Sequence, residues 1–275
     1  MTMRKINFYF ITLLAFTFIT ITLAPAAVKN QLSSMELADN LYKERSDFTK
    51  ARSALELYED LYKATAEKDQ KSRQLLLRKL SMANYFVGHH SPKNDGDANQ
   101  LKRRKDLFNR GIEYANRCIS ETQESSILGE CYFWLATNQV LLSQDEGNFS
   151  LVFSLSSVIK NFEKAQELSP TFAGSGALRM LGILHQKMPG IIGGSNKKAE
   201  EYLLKAIATS PKEPLNYMFL GKFYAESAST QSKVKALIDQ WELQQVKSIP
   251  VEQYESLGAL KDIEIWKKEG RWPID

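Results

Sequence analysis

Between Ser175 and Tyr224 the chain carries two amphipathic helical patterns separated by a corner, Met188-Pro189-Gly190-Ile191-Ile192-Gly193-Gly194-Ser195, and then runs into a third. In the third, Tyr217, Leu220, Gly221 and Tyr224 follow the spacing aromatic-x-x-Leu-Gly-x-x-Tyr. In the second, Ala199, Leu203, Ala206 and Pro211 follow Ala-x3-large-x2-Ala-x4-Pro. Residues three and four apart share a helix face, small residues let two helices approach closely, and proline stops a helix. A chain built this way folds by stacking helix pairs.

These spacings are those of the first and second helices of a tetratricopeptide repeat. Weaker copies lie upstream. Val158, Phe162, Ala165 and Pro170 repeat the second-helix pattern, as do Ala54, Tyr58 and Leu61, and Gly111, Ala115 and Cys118. Leu178, Leu181, Gly182 and His185 repeat the first, with a polar His in the aromatic slot, followed by Tyr132, Leu135, Ala136 and Gln139, and by Leu77, Leu80, Ser81 and Asn84. Taking Leu80, Leu135, Leu181 and Leu220 as equivalent gives steps of 55, 46 and 39 residues, so the repeats carry insertions. The expected fold is an all-α, tetratricopeptide-like solenoid of about four degenerate helix pairs. Val234 to Val246 and Val251 to Lys268 read as two further helices that cap its end. Hydrophobic content of 43% supplies a core, and aromatic content of 11% supplies large side chains for stacked helices.

Arg4 and Lys5 precede an apolar run from Ile6 to Leu23, and Ala24-Pro25-Ala26 offers the small residues that a signal peptidase reads. The expectation is export with cleavage after Ala26; an uncleaved membrane anchor is the alternative. No Cys lies near that position to accept a lipid. The chain thus divides into a signal peptide (1–26), a short linker (27–33), the repeat domain (34–228) and capping helices (229–275). Cleavage would take the formal net charge from +4 to +2, because Arg4 and Lys5 lie in the leader, and such a charge predicts neither nucleic-acid binding nor strong membrane attraction.

The two cysteines, Cys118 and Cys131, flank the turn Glu121 to Ser126. Antiparallel helices joined by a short loop bring residues equally far from the turn face to face, and an exported chain meets oxidising conditions. A disulfide is expected, with two buried free thiols as the alternative. No metal site is expected, because no third ligand stands at suitable spacing.

The segment from Gly176 through Arg179, Leu181, Gly182, His185, Pro189, Gly190, Gly193, Gly194, Ser195, Lys198, Ala199 and Glu200 resembles the T component of TRAP transporters, the TatT family. In that family a helix with Arg-x-Leu-Gly runs into Leu-Pro-Gly, two residues, Gly-Gly and a Lys-Ala-x6-Ala helix. Upstream, Ala83 to Gly88, Arg110 to Ala115 and Glu130 to Ala136 look like the same family in the same order. The resemblance covers roughly Ser34 to Gln245 and implies a periplasmic helical-repeat protein that works beside a solute-binding protein in uptake of organic acids or hydrophobic ligands. It also implies a trimer with a channel or cleft in each subunit. The chain departs from the family's lipoproteins in lacking the lipid-accepting Cys.

In this scaffold the residues at positions 5, 9 and 12 of each first helix line the concave side. Here they are Arg78, Met82, Tyr85, Phe133, Thr137, Val140, Arg179, Ile183, Gln186, Met218, Lys222 and Ala225. Apolar walls with Arg78, Arg179 and Lys222 among them suit an anionic group on an apolar body. The corner Pro189, Gly190, Gly193, Gly194 and Ser195 lacks the order of a phosphate-binding P-loop and has no strand before it, so it reads as a structural turn with Ser195 capping the next helix. His89 and His90 stand beside a polar connector ending in Asp95-Gly96-Asp97, without the ligand order of a calcium loop. No nucleophile or acid/base motif is present, so neither catalytic residues nor a cofactor are expected. The remaining reading is an exported scaffold that assembles envelope proteins and binds no small molecule.

Overall fold

Helix positions follow directly from the apolar spacing. In α2 (Phe48–Ala64), Ala51, Ala54, Leu55, Tyr58, Leu61 and Tyr62 are buried, a stripe three and four residues apart. The Asp47 carboxylate accepts from the Thr49 N–H at its start, and Thr65 turns extended at its end. The computed structural model describes residues 24–91, 98–250 and 253–273, and only the backbone of 24–33 and 148–152. The other helices are α1 (Ala24–Lys43), α3 (Gln70–His90), α4 (Ala98–Glu121), α5 (Ser125–Glu146), α6 (Asn148–Leu168), α7 (Gly176–Lys187), α8 (Asn196–Thr209), α9 (Pro214–Ala225), α10 (Lys233–Glu242) and α11 (Tyr254–Glu269). Among the described residues there is no strand, and the fold is the all-α helical-repeat class read from the sequence.

Successive helices from α1 to α9 pack on one another as antiparallel neighbours. The small and large residues of the repeat pattern sit in these contacts: Ala54, Tyr58, Leu80, Ala115, Phe162, Leu181, Ala199, Leu203 and Leu220 are all essentially inaccessible. Buried polar groups stitch helix to helix. Ser81 donates to the Gly111 carbonyl at 2.8 Å, and the Asn138 amide donates to Trp134 O at 2.8 Å and toward Ser81 at 3.3 Å, joining α3, α4 and α5. Near the turn between α4 and α5, Cys118 and Cys131 form the expected disulfide, with Cα atoms 6.0 Å apart. A disulfide of this kind fits an oxidising compartment.

The Pro-Gly corner is a turn. Pro189 follows α7, Gly190–Ile192 makes one 3-10 turn, and Gly193 takes φ +102°, a value that glycine adopts without strain. Gly194 runs so close to Met188 O that a Cβ there would stand 1.8 Å from it. Ser195 then caps α8 by accepting from the Lys198 N–H at 3.3 Å. His185 belongs to this turn, with Nδ1 3.0 Å from Gly193 O and its ring stacked on Tyr202.

Helix α10 covers the end of the stack, burying Val234, Leu237, Ile238 and Trp241 against α9. Helix α11 reaches much further than a cap. At one end Lys222 of α9 meets Asp262 at 3.5 Å and Trp272 lies over Gly221; at the other, Tyr254 sits edge-on to Phe86 and His90 of α3. Among the described residues no helix is long and apolar enough to cross a membrane. The apolar run Ile6 to Leu23 lies outside the described residues, as does the Asp95-Gly96-Asp97 connector.

Candidate functional site

Of the predicted concave positions on the first helices α3, α5, α7 and α9, only some stay accessible, and α11 runs from its packing on α9 back to α3, where Tyr254 meets Phe86 and His90. A 16-residue helix is about 24 Å long, enough to pass α7 and α5 on the way. Close backbone packing of α11 is concentrated on α9, with no extended contact on α5 or α7. The inner side chains between its two ends accordingly stay half-buried: Met82 and Tyr85 on α3, Trp134 on α5, and Ile183 and Gln186 on α7.

Their chemistry is chiefly aromatic. The Tyr85 ring stacks on His89 at 5.8 Å and approaches Trp134 at 5.4 Å; Trp134 in turn meets Phe133 at 5.0 Å and Phe172 at 6.0 Å. Phe133 is itself buried, wedged edge-on between Phe162 and Phe172. The result is a row of rings from α3 across α5 to the turn before α7. Burial pushes the Tyr85 phenol up to about 12, with Glu255 adding to the shift and Arg179 and Arg45 opposing it. The hydroxyl therefore stays protonated as a hydrogen-bond donor at neutral pH.

The expected cations of this face have different surroundings. Arg78 is paired to Glu130 of α5 at 2.7 Å, in a half-buried bridge between α3 and α5. Burial nevertheless raises the Glu130 carboxyl above its ordinary value, against the pull of Arg78. Lys222 is turned to Asp262 of α11. Arg179 is 6% exposed and donates to Ala173 O at 3.0 Å, Gly174 O at 3.1 Å and Asn216 Oδ1 at 2.7 Å. All of these acceptors are neutral, so burial lowers its pKa, while Glu213, Tyr85 and Glu255 counter from a distance. Asn216 is fixed in turn by donating to Gly174 O, Ala206 O and Ser210 O.

The remaining predicted positions serve mainly as structure. Thr137 donates to Phe133 O within α5 and is buried, Val140 and Met218 are core residues, and Ala225 is exposed. The structure thus brings Met82, Tyr85, Arg179, Ile183 and Gln186 to the inner face, while Phe133 backs it.

Several contributors were not singled out from sequence. Trp134 lies one place from the predicted register, though the upstream family-like segment contained it. Arg45, Tyr254 and Glu255 carry no local signal. Arg45 is 8% exposed and donates to both Glu255 oxygens, through Nε at 3.4 Å and a terminal nitrogen at 2.6 Å, while stacking over Tyr42 and Phe86. Burial works against this cation, but the hydrogen bond and charge of Glu255 hold its pKa above the ordinary value. The chain matches no protein-family model and no curated protein sequence.

Proposed function

We propose that the protein is an exported, tetratricopeptide-like accessory binding protein of a TRAP-type uptake system, working beside a solute-binding protein and holding a small organic acid or hydrophobic ligand on its inner face. The observation that carries this reading is the half-buried ring row Tyr85, Trp134 and Phe172, which runs from α3 across α5 to the turn before α7. Ligand sites are concave, mostly apolar and oriented by few polar groups. The family-like run from Gly176 to Glu200, with its Pro-Gly corner folded as a tight turn, supports the same reading. A trimer follows from the resemblance alone.

The alternative, an exported scaffold for envelope complexes without a small ligand, is favoured by the engagement of Arg78, Arg179 and Lys222 with protein groups. Chemical cross-linking in intact cells, followed by identification of the captured chain, separates the two. A solute-binding protein of an uptake system supports the first reading; envelope-assembly proteins alone support the second.

A further inference from the structure

Two hydrogen-bond donors of the inner face are unspent, while every cation expected there is engaged. Tyr85 and Trp134 are half-buried with ring centroids 5.4 Å apart, and neither the Tyr85 O–H nor the Trp134 Nε1–H has a hydrogen-bond partner among the described residues. Tyrosine and tryptophan join an apolar body to one polar tip, and that tip takes a partner where the ring leaves water. Trp134 stands edge-on to Phe172 and Tyr85 lies parallel to His89, so both tips belong to one row of rings. The Tyr85 phenol keeps its proton at neutral pH, and both donors are therefore uncharged.

The cations have other duties. Arg78 is matched by Glu130 at 2.7 Å and Lys222 by Asp262 at 3.5 Å, so an incoming carboxylate would have to displace one already in place. Arg45 donates to both oxygens of Glu255. Arg179 alone among the expected cations is met by neutral groups. It is 6% exposed, and both of its terminal nitrogens already donate, to Ala173 O and Gly174 O of the turn before α7 and to Asn216 of α9. Glu213 and Glu255 also place negative charge within range of it. An anion could reach this guanidinium only by giving up water for an occupied donor, and burying a charge on those terms is costly.

We infer that the inner face selects an uncharged, ring-bearing molecule with a hydrogen-bond acceptor such as a carbonyl oxygen, and discriminates against organic anions. The rings of Tyr85, Trp134 and Phe172 cover its apolar body, while the Tyr85 O–H or the Trp134 Nε1–H donates to its acceptor. A site that donates in this way also rejects a pure hydrocarbon of the same shape, which leaves the donors without a partner. The inference rests on the inner-face ligand site proposed for this protein and narrows it from two classes to one.

The test is equilibrium dialysis of the folded protein at neutral pH against three probes of one shape: β-acetylnaphthalene, β-ethylnaphthalene and β-naphthoate. The ketone should bind about tenfold more tightly than either the hydrocarbon or the anion. Tyr85→Phe/Trp134→Phe keeps ring surface and removes both donors, so it should erase the preference for ketone over hydrocarbon while the hydrocarbon still binds. Tyr85→Phe alone should reduce that preference, and its melting curve should match the parent, because the lost hydroxyl holds no protein group. Naphthoate binding as tightly as the ketone overturns the inference and leaves an inner-face site for organic anions. Equal binding of ketone and hydrocarbon by the parent, or a ketone preference that survives in the double variant, also overturns it without removing the site. Failure of all three probes to bind overturns it together with the inner-face site.

Discussion

Arg45 and Glu255, 210 positions apart, join the turn after α1 to the first turn of α11 through two hydrogen bonds. This contact, with Tyr254 against Phe86 and His90, is what brings α11 back to the start of the solenoid. Because Arg45 is buried while the Glu255 side chain is 41% exposed, solvent screening reduces the value of the pair. Arg45→Met should cost about 1–2 kcal/mol. Hydrogen exchange should rise in the first turns of α11 and remain unchanged in α7 and α8; equal rises throughout would show that the contact is not a local latch.

Arg179 supports an unusual turn. Ala173, Gly174 and Ser175 take φ of +49°, +60° and +61° in succession, and the guanidinium ties the first two carbonyls to Asn216 of α9. Non-glycine residues pay for left-handed geometry, so the turn depends on such anchors. Arg179→Ala should lower stability by about 2–3 kcal/mol in urea unfolding. A stability equal to that of the parent would show that the cation is not structural and return it to the ligand site.

The Cys118–Cys131 disulfide closes a short hairpin loop, for which loop entropy gives about 3 kcal/mol. Thiol labelling of denatured, unreduced protein should find essentially no free thiol, and Cys118→Ser/Cys131→Ser should melt at a lower temperature. Two labelled cysteines per chain would contradict this pairing.

What could be read from sequence was what is local. Helix faces, the hairpin that pairs Cys118 with Cys131 and the Pro-Gly corner are all encoded within a few turns of chain, where spacing alone decides which side chains meet. The inner face was only partly legible. Tyr85 and Ile183 follow from register, but the surroundings of Arg179 depend on carbonyls exposed by three left-handed residues. The path of α11 depends on Tyr254 and Glu255 meeting Phe86 and Arg45 across nearly the whole chain. No pattern in Tyr254 to Glu269 distinguishes a helix that caps a solenoid from one that crosses its inner side.

Gly182 of α7 tests the repeat packing. A Cβ there would lie 2.7 Å from Leu203 Cγ and 3.2 Å from Ala199 O of α8, whereas a Cβ on Gly258 of α11 would meet nothing within 4 Å. Gly182→Ala should destabilise by about 1–3 kcal/mol, and Gly258→Ala should be neutral or stabilise by up to about 1 kcal/mol through helix propensity. Denaturant midpoints measured side by side give the comparison; matching midpoints would contradict close α7–α8 packing.

The central claim, an inner-face ligand site, is tested most directly by native mass spectrometry of the protein released from the envelope without unfolding. The account predicts a bound organic acid or hydrophobic molecule, retained in Phe153→Ser, a change at an exposed side chain, and reduced about tenfold in occupancy in Trp134→Ala, since Trp134 is half-buried in the ring row. A protein that carries no small molecule, or a Trp134→Ala variant that retains it in full, would contradict the site and leave the scaffold reading in its place.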